Sequence, residues 1–408
     1  MSDQANCQRK AVRPGEGDAP RVEHIDAVWH IRSTSAVRQI LREKDATTQA
    51  GFNSEAIPEG AMRHSPILFM DGDAHRLQRS KIARFFAPKT VSQRYRHLMD
   101  ERAQALVAEI ATTGTARLDV VSLRYSTAVA AEVIGLTHTP IPGLSRRLER
   151  LLKQPRHDPA TQGPRQGVAR VLGTLRGNLP MLWFYLRDVR PAIRANRRAP
   201  GENVISHLLA EGYSDPEILI ECVTYGAAGM ATTREFISMA IWHLLENEPL
   251  RTRYLLADEP ERHAILAEIL RLEPIVGHLY RRARSEITFS DAGQTYTVPP
   301  GELLDLYIRQ SNADPDIAGQ EPLNLCPARP MPRGFGPEVM SFGDGAHKCP
   351  GNSLAIQETD ILLHQLLALN PTLLAPPKLT WSDITAGYEL RELMLAVPSE
   401  IAPARHPG

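Results

Sequence analysis

No stretch of this chain reaches the roughly 18 consecutive apolar residues that a membrane helix requires, and neither charge sign is in excess. Lysine plus arginine number 47 and aspartate plus glutamate number 47, a formal net charge of zero, so no global basic field argues for a nucleic-acid partner. Cysteine is scarce: Cys7, Cys222, Cys326 and Cys349 are the four among 408 residues. They form no CxxC pair, so neither a zinc ribbon nor a disulfide framework suits them. The opening MSDQANCQRKAVRPGEGDAP lacks the apolar core of a secretion signal. These absences lead us to expect a cytoplasmic protein with no transmembrane segment. Solenoid-length repeats and low-complexity blocks are missing as well. Residues 1–20 therefore read as a polar N-terminal segment and 21–408 as a single domain with room for a large core.

Helical periodicity fills most of that domain. Apolar side chains recur at three- and four-residue spacing over Ala103–Ile110, Tyr125–Gly135, Ser214–Glu246, Arg262–Leu272 and Asn352–Leu369. Short strand-like runs at 286–290 and 295–298 flank the turn Asp291-Ala292-Gly293. The expected fold class is mainly α with small β-sheets.

The longest run opens on Ser214-Asp215-Pro216-Glu217, a capping box with proline in the first turn, and stops at Asn247-Glu248-Pro249. At 1.5 Å per residue it would extend roughly 50 Å. Its middle, YGAAGMATTRE, carries Gly226 and Gly229, then Thr232 and Thr233. Each glycine costs about 1 kcal/mol against alanine in a helix. Two readings account for that weakness. Glycine and threonine together open a turn, freeing a carbonyl and making a groove for ligand or water; alternatively, small residues allow close helix packing.

Near the C-terminus SFGDGAHKCPG places Cys349 among glycines at the head of an apolar helical run. Upstream lie Glu268 and Arg271, three apart on one helix and by themselves an ordinary ion pair. Arg329 follows in CPARP, and His75 and Arg79 stand one turn apart in DGDAHRLQR. Taken together and in this order, the set resembles the cytochrome P450 superfamily of haem-thiolate monooxygenases, in its bacterial style, from about Asp71 to the C-terminus. The FxxGxxxCxG signature is matched by Phe342, Gly345, Cys349 and Gly351.

The resemblance implies a triangular prism-like fold with haem b (iron protoporphyrin IX) between the long central helix and the helix after the cysteine loop. Cys349 matches the axial thiolate ligand of the iron. Phe342, Gly343 and Gly351 belong to the cofactor loop, and His75, Arg79, Arg281 and His347 match positions that hold haem propionates. Glu268, Arg271 and Arg329 match a buried charge triad. Ala228, Gly229, Met230, Ala231, Thr232 and Thr233 match the oxygen-activation stretch, while Val276, His278 and Tyr388, with Ala228, are substrate-pocket candidates. Glycines 343, 345 and 351 would let the backbone turn tightly under a flat macrocycle, where a Cβ would clash or positive φ is needed. The helix N-terminus after the loop would lower the Cys349 thiol pKa. A thiolate ligand favours O–O cleavage, so the expected activity inserts one oxygen atom from dioxygen into a lipophilic or secondary-metabolite substrate. A ferredoxin-type donor with its NAD(P)H reductase would supply electrons, docking on the face bearing Arg76, Arg84 and Lys348. A monomer is expected.

One position departs from the pattern. Where the family keeps an acid before Thr232, this chain has Ala231. Glu235, one turn on, is either a substitute proton source or an ordinary paired residue, and peroxide-driven oxidation is the rival route. Outside that chemistry stand a non-catalytic haem sensor or carrier and a cysteine hydrolase using Cys349 and His347; the latter lacks an orienting partner for the histidine. Between Arg146 and Arg198 there are 13 basic residues against three acids. This excess resembles lid helices over a substrate channel, and it fits an anionic substrate, an acidic carrier protein delivering one, or plain solvated faces. LPMLWFYL at 179–186 adds an apolar, aromatic stripe.

Overall fold

The structure, a computed structural model, describes residues 8–13, 16, 19–52, 62–152 and 179–398. Helices dominate, as the periodicity predicts, and four small sheets accompany them. Among the described residues no helix is long and apolar enough to cross a membrane. The described chain divides into two units, one from residues up to 52, 67–122 and 232–398, the other from 62–66, 123–152 and 179–231.

In the first unit the helix Asn352–Leu367 is the core element. Leu362, Leu363 and Leu366 on it have no exposed surface, and it packs against Arg96–Thr113, Glu259–Leu272 and Thr232–Glu246. Asp360 on the same helix accepts from Tyr254 Oη at 2.6 Å and from Arg262 at 2.8 and 2.9 Å. A buried carboxylate in that position is stable only because three donors meet it. Five strands, Val22–Ile25, Val28–Ile31, Leu303–Tyr307, His278–Ala283 and Thr47–Ala50, lie side by side in that order. Only the pairing of Val28–Ile31 with Leu303–Tyr307 is parallel. The hairpin expected near 291–293 joins Ile287–Asp291 to Gln294–Val298. Its turn residues, Ala292 and Gly293, have φ of 48° and 80°, as a tight two-residue hairpin turn requires.

Part of the polar N-terminal segment is described. Its described residues enter the first unit: Arg9 is buried, donating from Nε to Leu272 O at 2.7 Å and from Nη2 to Arg309 O at 2.9 Å. Two buried guanidiniums side by side need counter-charge. Glu16 pairs with Arg309 at 2.7 Å, and Glu273 accepts the Ala11 N–H at 3.3 Å. Burial still pushes Arg9 down to about 10.

In the second unit Asp215–Gly226 opens on Ser214, whose N–H and hydroxyl both donate to Glu217 at 2.8 Å, and the His64 N–H adds a third donor. Burial works against the ionised form, yet these donors hold Glu217 at about 2. A π turn over Ala227–Ala231 follows that helix, at the weakness the glycines mark.

Candidate functional site

The cysteine loop is fixed by two left-handed glycines. Gly343 has φ +69° and Gly345 has φ +66°. At Gly345 a Cβ would lie 2.0 Å from Leu41 O, so geometry and space both demand glycine. Gly345→Ala is expected to cost about 2–4 kcal/mol, read as a lowered thermal midpoint; a midpoint equal to wild type would contradict this. Gly351 does not share that reason. Its φ is −89°, and an added Cβ would make ordinary contacts, 3.9 Å from Cys349 Sγ and 4.0 Å from Phe86. Within the protein itself, nothing requires glycine there. The Cys349 N–H donates to Phe342 O at 2.8 Å, which closes the loop just ahead of the helix starting at Asn352.

The helix N-terminus pulls the Cys349 thiol down as expected, yet the net direction is up. Burial pushes the Cys349 thiol up, and this outweighs the Gly351 N–H and the charges of Arg79 and Lys348, which pull it down. Desolvation of a thiolate in an apolar seat exceeds the effect of one helix terminus. A bound cation at sulfur is what would stabilise the thiolate here, and an iron ion meets that need.

Beside the loop is a cleft of about 440 Å³ lined by His75, Arg79, Arg281, His347, Asp71 and Arg76 among others. All four residues expected to hold propionates are therefore brought together. His75 and His347 stack with ring centroids 4.0 Å apart, and His347 Nε2 lies 3.2 Å from Asp71 Oδ1. Burial, with His347 and Arg79 nearby, pushes His75 down to about 4. Arg79 donates to Lys348 O. Arg281 is buried and donates from Nη1 to Gln49 Oε1 at 2.7 Å and to Tyr280 O at 2.8 Å. Among the described residues no carboxylate lies within 4 Å of it, and burial pulls it down to about 10. Asp71 offsets this only in part and from a distance, and a buried guanidinium with no bonded carboxylate is costly. A propionate carboxylate would supply a bonded partner, so the donor set fits haem b.

The Glu268–Arg271 pair is no surface ion pair. Arg271 is fully buried and grips Glu268 with two bonds of 2.6 and 2.8 Å. Arg329 Nε approaches the same carboxylate at 3.4 Å, and the Cys326 N–H donates to it at 2.9 Å. Remaining Arg271 donors reach Asn312 O at 2.9 Å and Pro322 O at 2.8 Å. The expected triad is thus assembled, and it clamps 312–329 to the helix Glu259–Leu272.

Both readings of the helix weakness find support. Gly226 is packing-limited, since a Cβ would lie 3.2 Å from Leu148 and from Met230. The carbonyl of Met230 in the π turn accepts the Ser126 hydroxyl at 3.1 Å. Ala228 is exposed, Gly229, Ala231 and Thr232 are half-buried, and Thr233 is buried. Glu235 proves to be paired: the Leu390 N–H and Arg391 each reach it at 2.7 Å, and Arg234 at 2.9 Å. A carboxylate so occupied is no proton source.

Sequence reasoning missed Glu358. It lies nine residues after Cys349, buried on the core helix, with the Thr233 hydroxyl bonded to it. Its Oε2 has no partner. Burial pushes this carboxyl well above the usual range, so it keeps its proton where exposed carboxylates have lost theirs. The signal was present in the sequence. Leu354, Leu362 and Leu366 recur four and eight residues around Glu358, which puts an acid on a buried stripe.

Two pocket candidates have their polar groups engaged within the protein. His278 bonds Asp305 Oδ1 at 2.8 Å and packs on Tyr307. In a strand, alternate side chains share a face, so His278 and Tyr280 oppose Arg281; Leu279 shares the Arg281 face. Tyr388 is buried with its hydroxyl donating to Glu273 O at 3.2 Å, which commits its polar end to the backbone. Val276 is half-buried beside Gly277. There a Cβ would lie 2.1 Å from Ala386 O, so the C-terminal hairpin turn is pressed against this segment.

Comparison with known proteins agrees with this geometry. The family described as Cytochrome P450 matches residues 262–369, the span holding the triad, Arg281 and the cysteine loop. Erythromycin C-12 hydroxylase of Saccharopolyspora erythraea is 25% identical over 84% of this chain and 81% of its own length. The biotin biosynthesis cytochrome P450 of Bacillus subtilis is 23% identical over 85% and 84%. Among solved structures, a mutant of P450 EryK in complex with erythromycin B superposes with a TM-score of 0.75 and 21% identity, covering 95% of both chains. P450BioI in complex with an acyl carrier protein ligated with hexadec-9Z-enoic acid superposes with a TM-score of 0.69 and 21% identity, covering 91% of this chain and 92% of that one.

Proposed function

This chain belongs to the cytochrome P450 superfamily, as a haem b monooxygenase of the bacterial type, and from that premise we propose that it oxygenates a lipophilic biosynthetic intermediate with electrons from a ferredoxin-type donor. The observation that carries the reading is the buried Arg281 with no directly bonded carboxylate, in a cleft shared with Gly345, Ala346 and His347 of the glycine-locked cysteine loop. When bound, haem b supplies the iron at which dioxygen is reduced and cleaved, with its thiolate ligand favouring cleavage.

The chain's own residues do the rest. Cys349 would hold the cofactor's iron, fixed by the Phe342 carbonyl and the Gly343 and Gly345 turns. Arg281, Arg79, His75 and His347 bind its carboxylates as charge-assisted donors. Glu358 takes the place of the missing acid at 231. Its carboxyl passes a proton to the Thr233 hydroxyl, which passes its own to a water at Thr232. Arg84 and Lys348 are exposed and, with Arg76, steer an acidic electron donor, chiefly through association rate. Arg76 shares its charge with Asp73, so Arg84 and Lys348 contribute more. Likeness to P450BioI, solved with a ligated acyl carrier protein, supports a substrate delivered on a carrier.

Glu358→Gln tests the proton path. The amide fills the same space without an acidic proton, so product formed per reductant consumed should fall on the order of tenfold. Ala231→Asp in the same background should restore part of it. Unchanged coupling in Glu358→Gln, or wild-type turnover that runs equally well on added peroxide, would overturn the path. The substrate class is tested by titrating candidate biosynthetic intermediates, free and carrier-bound, while watching the haem spin state.

A further inference from the structure

Helix 179–198 presents a surface that the oxygenase chemistry leaves unused. Its inner face is buried through Phe184, Asp188, Val189, Ala192 and Ile193. Leu179, Leu182, Trp183 and Leu186, spaced three and four apart, point outward and are 46, 49, 51 and 40% exposed. One turn on, the same face continues as Arg187, Arg190, Arg194, Arg197 and Arg198. Asp188 is the sole acid in this stretch, and it is turned inward, gripped by Arg147 through two bonds of 2.6 Å. The outward face therefore carries large apolar groups at one end and arginines at the other; Arg197 is paired with Asp215 at 2.5 Å, which leaves Arg187, Arg190, Arg194 and Arg198 to meet a partner.

We propose that this face docks a small acidic protein that carries the substrate. The inference rests on the monooxygenase reading for its purpose, and on charge complementarity for its partner. Arginine is the side chain suited to bidentate carboxylate pairing, and a row of them spaced at one helical turn matches carboxylates spaced likewise on a partner helix. Trp183, with the Arg187 guanidinium 5.6 Å from its ring, joins two residue types that dominate binding energy at protein interfaces. The arrangement disfavours a lipid surface. An interfacial helix separates apolar from basic residues around its axis, so that one side sinks to acyl depth while the charges stay at the headgroups. Here both share one side and are separated along the axis, so sinking the leucines would drag the arginines to the same depth.

The test uses the haem-loaded full chain and a bacterial acyl carrier protein bearing a hexadecanoyl chain. Calorimetry should show binding that weakens with salt. Arg190→Glu with Arg194→Glu should raise the dissociation constant at least tenfold, and Trp183→Ser with Leu186→Ser should do the same. Trp183, Leu186 and Arg194 are exposed and Arg190 is half-buried, and none makes a core contact the oxygenase chemistry uses, so the thermal midpoint and the reduced carbonyl spectrum should match wild type in both variants. Absence of binding, equal binding by wild type and variants, or capture of wild type but not variants by vesicles of phosphatidylglycerol and phosphatidylcholine would each overturn the proposal. A thiolate-type carbonyl spectrum alongside any of these outcomes leaves the monooxygenase reading intact and confines the failure to docking.

Discussion

Glu268→Gln is expected to lower the free energy of unfolding by about 3–5 kcal/mol, because it leaves a buried guanidinium without its charge partner. Arg271 has no exposed surface and cannot turn outward to recover water. The glutamine would keep the shape of the side chain but bring an NH2 group against donors. Glu268 Oε1 now accepts from Arg271, Arg329 and the Cys326 N–H, and Oε2 accepts from Arg271 Nε. An amide satisfies one side of that set and opposes the other. The damage should spread to the cysteine loop. Asn312, held at its carbonyl by Arg271, donates to Ser341 Oγ at 2.8 Å, and Ser341 Oγ donates to Leu270 O at 2.7 Å. Haem retention should therefore fall in parallel with stability. Denaturant unfolding of the two proteins decides the matter. A difference under about 1 kcal/mol, the range of an exposed pair, would contradict the buried clamp. Arg271→Lys should be nearly as harmful, since an ammonium cannot make the forked contact.

How much of this was legible depended on whether the information is local. Gly343 and Gly345 could be read because positive φ is a property of the turn itself, and the π turn at Ala227–Ala231 because glycine and threonine weaken a helix where they stand. The ion pair at Glu268 and Arg271 was legible as a pair. Its burial was not, since carbonyls of Asn312 and Pro322, far along the chain, complete it. The same limit explains the errors. Whether His278 faces with Arg281 depends on strand parity, fixed only once His278 is set opposite Tyr307. Glu235 and Glu358 are both acids in apolar helices. What separates them is a backbone N–H at Leu390 and the Arg391 guanidinium, both more than 150 residues away. The net rise of the Cys349 thiol was not legible because a helix terminus is visible in sequence and desolvation is not. The burial of Arg9 was not legible because its counter-charges, Glu16 excepted, lie on distant segments.

The central claim is that Cys349 binds iron as a thiolate, and its most direct test is the carbonyl spectrum of the reduced, haem-loaded protein. A thiolate ligand pushes electron density onto the metal and shifts that band to the red of a histidine-ligated haem. Wild type should show the red-shifted band. Cys349→Ser, which keeps a small polar side chain in a loop closed by the Phe342 carbonyl and the glycine turns, should lose the band and the oxygenase activity together, while retaining the wild-type far-ultraviolet circular dichroism. A histidine-type band in wild type, or an unchanged red-shifted band in Cys349→Ser, would contradict the assignment.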